Sequence, residues 1–185
     1  FLLDKEGLYS SKDTKQLITR IKEIKPDVIH LHNIHDHWLN YKLLFEYLNQ
    51  TDIKIVWTFH DCWAFTGHCF HFVTKNCDRW KTLCHDCPLQ HEYPKTLVDR
   101  STKNFELKKT LFEGSKNLSI VACSEWIGNF VRDSFLKDKP LTIIHNGVDL
   151  KVFRLTLPKK SFEDGKFRIL AVSNVWNKEK GIDDI

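Results

Sequence analysis

The chain lacks methionine, long hydrophobic runs and a marked excess of either charge. Because it has no methionine, Phe1 is not a translation start, and we expect the 185 residues to be a fragment of a longer protein. No apolar run approaches the roughly 20 residues that span a bilayer and no signal peptide is visible, so we expect a cytoplasmic location. The formal charge of +4 is small and spread out, which gives little support to nucleic-acid binding and leaves only a weak attraction to an anionic membrane.

Short β-branched segments alternate with amphipathic segments along most of the sequence. Apolar residues at helical spacing predict helices over residues 12–25, 38–50, 101–114 and 125–136. Short β-branched runs predict strands at residues 27–33, 54–61, 118–124 and 141–149. Ser124 is placed to cap the last of these helices. The alternation predicts an α/β fold with a Rossmann-like parallel sheet and helices on both faces.

The same pattern divides the chain into two parts. Residues 1–149 form the predicted N-terminal domain, which carries a cysteine-rich insert at 62–95. Residues 150–166 lose the periodicity and gain proline and lysine, so we interpret them as a linker. The strand pattern restarts after them, and residues 167–185 are predicted to begin a second, truncated α/β domain.

Polar side chains follow four successive predicted strands at the points where the strands end. In open parallel sheets, ligands bind at the carboxyl ends of the strands, because loops and helix N-termini gather there. A single histidine after a strand is more often structural than catalytic, but four such strand ends together predict a binding site. The residues concerned are His32, Asn33, His35, His60, Asp61, Ser124, His145, Asn146 and Asp149.

The insert is poor in aliphatic residues and contains four of the six cysteines, namely Cys69, Cys77, Cys84 and Cys87. Since a cytoplasmic chain disfavours disulfides, clustered thiols suggest a structural zinc ion that replaces a hydrophobic core. Only one C-x-x-C pair is present, whereas two would be the stronger signal. A structural zinc and four free, partly buried thiols therefore both stay open. Three histidines of the insert could replace one thiolate: His68, His71 and His85.

Five stretches together resemble the family 4 glycosyltransferases, enzymes with two Rossmann-like domains that face each other across a cleft. They are DVIHLHNIH (27–35), TFHDCWAFTGHC (58–69), CDRWKTLCHDCP (77–88), IIHNGVDLKVF (143–153) and ILAVSNVWNKEKGIDD (169–184). The HNIH, HDCW and cysteine patterns are similar to those of the capsule, colanic acid and exopolysaccharide branch. The NGVD motif alone is common, but its conjunction with the others is specific.

The resemblance implies transfer of a sugar from a nucleotide-sugar donor to a lipid-linked glycan acceptor in surface polysaccharide biosynthesis. It also implies retention at the anomeric carbon and no cofactor required for catalysis. In such enzymes a histidine after a strand of the N-terminal, acceptor-side domain reaches the donor sugar, and His60 matches that position. Asp61 is the second catalytic candidate. The acceptor side would be lined by His32, Asn33, His35 and Ser124, and the donor would meet Asn146, Gly147 and Asp149, where the glycine is expected to permit a tight turn.

The second domain would bind the nucleotide sugar. Lys180 and Gly181 match a Lys-Gly pair that meets the donor diphosphate, where the lysine acts as a point charge. Ser173 and Asn174 stand where family members commonly have a Gly-Arg pair. An acidic motif further along that domain is absent from this chain, so we expect the fragment alone to be inactive.

Two other function classes stay open at this stage. A zinc-stapled Rossmann-like module that binds a partner would explain the cysteines but not the polar strand ends. A sugar-nucleotide epimerase of similar architecture would need a carboxylate pair at a strand end, which the sequence does not place. Peripheral association with the inner face of the cell membrane is expected only from the lipid-linked acceptor that the resemblance implies.

Overall fold

The computed structural model describes residues 2–154, 170–173 and 176. Contacts divide the chain into two compact units, Phe1–Asn146 and Gly147–Ile185. Most of the predicted linker and of the predicted second domain falls outside the described residues. Lys180 and Gly181, which are expected to meet the diphosphate, lie outside the described residues, as does Asn174.

A four-stranded parallel sheet forms the centre of the first unit. The strands run in sequence order as β1 (Val28–Leu31), β2 (Lys54–Phe59), β3 (Leu118–Ala122) and β4 (Leu141–Ile143). Each is parallel to its neighbour, so all four carboxyl ends lie at one edge of the sheet. The α/β fold class with a parallel sheet is confirmed. The last strand is shorter than the predicted 141–149, because pairing with β3 stops at Ile143.

Four helices connect or precede these strands: α1 (Ser11–Ile24), α2 (Tyr41–Leu48), α3 (Ser101–Lys108) and α4 (Glu125–Asp133). Lys25 adopts a left-handed φ of 52° directly after α1, and Pro26 follows, so the helix ends where predicted. A π-helical segment, Lys109–Glu113, extends α3. Ser124 caps α4 as expected, because its side-chain oxygen accepts a hydrogen bond from the backbone N–H of Ile127.

The core of the first unit is mainly aromatic where the sheet meets α2 and the π-helical segment. Phe112 lies in it with its ring centroid 4.6 Å from that of Phe45 and 5.0 Å from that of Trp57. All three side chains are buried. Edge-to-face and tilted packing of this kind adds to the stability that burial alone provides.

The cysteine-rich insert also has a hydrophobic core, which corrects the sequence-based expectation. Residues 60–100, all of which the structure describes, contain three short 3-10 segments and no strand or α-helix. Phe72 stacks on Trp80 with ring centroids 4.8 Å apart, and Phe130 of α4 packs edge-on against Phe72. Counting aliphatic residues missed this core because aromatic side chains supply it.

Candidate active site

Two histidines face each other at the carboxyl edge of the sheet. Leu31 pairs with Trp57 across β1 and β2, and His32 and His60 each lie one residue beyond the end of their strand. Nδ1 of His32 lies 2.9 Å from Nε2 of His60, and the rings are stacked with an interplanar angle of 17°. One nitrogen donates and the other accepts, so the contact fixes the orientation of each ring relative to the other.

His30 extends this row of imidazoles, although it is not among the residues predicted to form the site. Its ring centroid lies 4.4 Å from that of His32, and its Nε2 lies 2.8 Å from the hydroxyl of Thr58. The alternation of strand β1 places His30 and His32 on the same side of the strand, which is the signal that could have found it.

A second pair, His35 and Asp61, lies beside the first. Nε2 of His35 lies 3.0 Å from Oδ2 of Asp61, and the other carboxylate oxygen accepts a hydrogen bond from the backbone N–H of Trp63 at 2.9 Å. Both oxygens of Asp61 therefore have partners within the protein. His35, expected to line the acceptor side, is only 12% exposed and is in contact with this carboxylate.

Carboxylates also surround the other nitrogen of His35. Its Nδ1 lies 3.8 Å from Oε1 of Glu6 and 3.5 Å from Oδ2 of Asp36. Burial opposes protonation of the imidazole, but the hydrogen bond and charge of Asp61, together with Asp36 and Glu6, raise the pKa of His35 above its ordinary value. Burial likewise raises the pKa of Glu6. Histidine, cysteine, aspartate and glutamate side chains can ligate a metal ion. Within the described ranges, Glu6, His35 and Asp36 form the only group of three such side chains whose donor atoms all lie within 4.8 Å of one another.

Lys108 holds the turn that follows Asp61 from the core side. Its ammonium is fully buried and donates to the carbonyls of Trp63 (2.7 Å) and Thr66 (3.0 Å). It also lies 3.5 Å from the centroid of the Trp63 ring. Burial lowers the pKa of Lys108 to about 7, against the opposing charges of Glu6 and Asp4. Sequence reasoning missed both Lys108 and Glu6, because each is a charged residue in a segment that carries other charges.

The remaining predicted residues of the first unit lie along the same edge. Asn33 lines a small pocket with His32, His35, His60 and Asp61. Ser124 uses its hydroxyl oxygen to cap α4. Nδ1 of His145 lies 3.3 Å from the carbonyl oxygen of Cys123, and Asn146 is exposed. The structure therefore brings together the residues after β1 and β2 more closely than those after β3 and β4.

The NGVD turn continues into the second unit. Asp149 organises the residues after it, because its side chain accepts from the N–H of Lys151 at 2.8 Å and its carbonyl from the N–H of Phe153 at 2.8 Å. Gly147 does not have a left-handed φ, and a Cβ added there would meet no described atom within 4 Å. The expected need for glycine at this turn is therefore not found.

The four cysteines of the insert line one small pocket, together with His68 and Trp80. This donor set fits zinc, which binds thiolates and imidazoles. In the part of the chain that the structure describes, no three of these donor atoms lie within 4.8 Å of one another, so a zinc ion would have to draw the side chains inward. Burial, together with the neighbouring thiols, raises the pKa of Cys84 to about 12 and that of Cys87 to about 11.

The comparisons with known proteins identify the family of the chain. The model of Glycosyltransferase Family 4 matches residues 1–152. This chain belongs to glycosyltransferase family 4. A relative from Escherichia coli (strain K12), a putative colanic acid biosynthesis glycosyl transferase WcaC, is 30% identical over 158 residues, which cover 80% of this chain and 38% of the relative. No solved structure matches the chain.

The chain thus spans well under half the length of this family 4 relative. The matched residues include the His32–His60 pair, the His35–Asp61 pair and the whole cysteine-rich insert. Among the described residues of this family 4 chain, no helix has the length and apolar character needed to cross a membrane.

The raised pKa of His35 predicts a pH-dependent contribution to stability. The folded state binds this proton more tightly than the unfolded state, so the contribution is complete below the ordinary histidine pKa of about 6.5 and is lost as pH rises through the raised value. We expect the free energy of unfolding of the wild type to fall over this window and that of His35→Gln to fall less. Urea unfolding between pH 5 and 9 measures the difference.

The matched control for this measurement is His91→Gln, because His91 is an exposed histidine of the insert. It should keep the pH dependence of the wild type. Identical pH profiles for the wild type and His35→Gln would show that His35 is not held as an imidazolium by these carboxylates.

Proposed function

We propose that the full-length protein transfers a sugar from a nucleotide-sugar donor to a lipid-linked glycan acceptor in surface polysaccharide biosynthesis, with retention at the anomeric carbon. The observation that carries this proposal is the pair of linked side-chain contacts, His32 with His60 and His35 with Asp61, at the carboxyl edge of the sheet in a family 4 chain. Side chains held in this way before substrate binds can orient two reactants toward each other.

We assign His60 to the donor sugar. An imidazole can donate to or accept from a sugar hydroxyl, and the contact with His32 fixes its orientation. Asp61 and His35 form the wall beside it, with Asn33 at the pocket surface. Because both oxygens of Asp61 already have protein partners, we assign it a positioning role for the turn that carries Trp63.

The donor nucleotide would be bound by the second domain, with Lys180 and Gly181 near its diphosphate and Asn146, Gly147 and Asp149 at the turn between the domains. A lysine ammonium is a suitable point charge for phosphate. A lipid-linked acceptor would bring the protein to the inner face of the cell membrane. The colanic acid role in the name of the E. coli relative supports a polysaccharide product.

The test uses the full-length protein, radiolabelled nucleotide sugars and a membrane fraction that contains lipid-linked glycans. We expect label to move into lipid-soluble product with release of a nucleoside diphosphate, and the new linkage to have the anomeric configuration of the donor. Recovery of an epimerised nucleotide sugar would instead indicate an epimerase. If none of the nucleotide sugars is bound and none serves as a donor for transfer, a non-catalytic binding module would be favoured.

A further inference from the structure

The cysteine-rich insert brings four thiols from separate turns to one place. Cys69 follows the first 3-10 segment, Cys77 lies between the other two, and Cys84 and Cys87 follow the last, yet all four line the same pocket. All are free cysteines in the structure. Cys69 is buried in the hydrophobic core, and Cys77, Cys84 and Cys87 are partly buried against it.

The loop between Cys84 and Cys87 is held in shape by groups that do not belong to it. The Arg79 guanidinium donates to the carbonyl of His85 at 2.7 Å and also to that of Asp86. The backbone N–H of Cys87 donates to Asp99 at 2.7 Å. This C-x-x-C loop is therefore anchored at both its middle and its end, as a metal-binding loop needs to be.

A buried histidine with an unpaired nitrogen faces the same thiols. Nδ1 of His68 lies 2.7 Å from Oδ1 of Asp4, and the two side chains are only 1% and 3% exposed. Nε2 of His68 has no hydrogen-bond partner among the described residues, and the ring lines the cysteine pocket. A buried nitrogen without a partner is costly, so this one points to a group that the protein atoms alone do not supply.

We propose that this pocket binds one zinc ion through the thiolates of Cys69, Cys77, Cys84 and Cys87, with the Asp4–His68 pair donating a hydrogen bond to a coordinated sulfur. Zinc with four thiolate ligands is tetrahedral and structural, and binding releases the thiol protons. An N–H donor next to the sulfurs offsets part of their negative charge. The proposal does not depend on the proposed transferase activity.

The ion would act on the active site through the backbone. The N–H of Gly67 donates to the sulfur of Cys84 at 3.3 Å, and Gly67 follows Thr66, whose carbonyl accepts from Lys108. A Cβ at Gly67 would lie 2.1 Å from the carbonyl oxygen of Ser101, so the structure has no space for a side chain at this position. Zinc would thus stabilise the turn that carries Asp61 without contacting substrate.

The experiment measures metal content in the full-length protein purified without chelator. We expect one zinc per chain in the wild type and in Cys123→Ser, a matched control outside the insert, and loss of zinc in Cys84→Ser. Cobalt(II) added to the metal-free protein should give the visible absorption bands of a tetrahedral thiolate site. Chelation should lower the unfolding temperature by more than about 5 °C.

The role given to His68 has its own test. His68→Gln should keep one zinc per chain but bind it about 10- to 100-fold more weakly, as is usual when a hydrogen-bond partner of a ligand is lost. Complete loss of zinc in this variant would overturn the four-thiolate assignment and make His68 a ligand. The zinc proposal itself fails if the wild type contains no zinc, gives no cobalt spectrum and leaves all four insert thiols reactive, or if Cys84→Ser retains its zinc.

Discussion

His60→Ala in the full-length protein is expected to lower kcat by at least about tenfold, because it removes the imidazole that we assign to the donor sugar. His60 lies directly after β2, and Nδ1 of His32 lies 2.9 Å from its Nε2, so the ring is oriented before substrate binds. Loss of a group that acts mainly in the transition state lowers kcat more than it raises KM. Initial rates of label transfer at saturating donor and acceptor measure this.

The matched control is His91→Ala, which removes an exposed histidine of the insert and should leave kcat within about twofold of the wild type. Unfolding temperatures of the two variants should agree, since neither ring belongs to the hydrophobic core. Unchanged turnover in His60→Ala would remove His60 from the site. An equal loss in both variants would indicate general damage to the fold.

Lys108→Met is expected to lower the free energy of unfolding by about 2–4 kcal/mol, because two buried carbonyls lose their donor. The ammonium holds the carbonyls of Trp63 and Thr66 and lies over the Trp63 ring. Methionine has nearly the same length and removes the unfavourable burial of the amine, which offsets part of the loss. Urea unfolding at constant pH gives the difference.

Lys139→Met is the control for that comparison. Its ammonium also donates to two carbonyls, those of Glu113 and Ser115, but it lies nearer the surface, where water can replace it. The expected loss is less than about 1 kcal/mol. Equal losses of unfolding free energy in Lys108→Met and Lys139→Met would mean that burial of Lys108 does not strengthen its hydrogen bonds to the two carbonyls.

Transferase activity should also respond to Lys108→Met, since Trp63 joins the lysine to the candidate site. The carbonyl of Trp63 accepts from Lys108, while its N–H donates to Asp61. We expect Lys108→Met to lower kcat. Adding Asp61→Asn to that variant should lower kcat no further. A purely structural role for Lys108 would instead give additive losses.

Much of the fold follows from local sequence patterns. The spacing of Leu17, Ile18, Ile21 and Ile24 predicted α1, and Lys25 and Pro26 end it within a residue of the expected position. The four strands were predicted in place because β-branched runs bounded by polar residues are a local signal. The last was predicted too long, since the end of pairing depends on its neighbour β3 rather than on its own residues.

The cysteine-rich insert shows where local reasoning reaches its limit. Its shortage of aliphatic residues suggested that it has no core, whereas Phe72, Trp80 and Phe130 of the distant helix α4 supply one. The contact of Phe130 with Phe72 joins segments far apart in the chain, and no periodicity within either segment encodes it. The gathering of the four thiols is likewise a property of the folded insert.

By itself, the sequence determined the α/β class, the positions of the strands along the chain, the polar residues that follow them and the family. These properties depend on residue type and spacing within single segments. Only the tertiary structure decided that His35 contacts Asp61, that Glu6 stands behind His35 and that Lys108 anchors the next turn. The physical reason is that charged residues are mostly exposed, so sequence alone places them at the surface. A buried charged residue can be recognised only from its partners, and these partners come from distant parts of the chain.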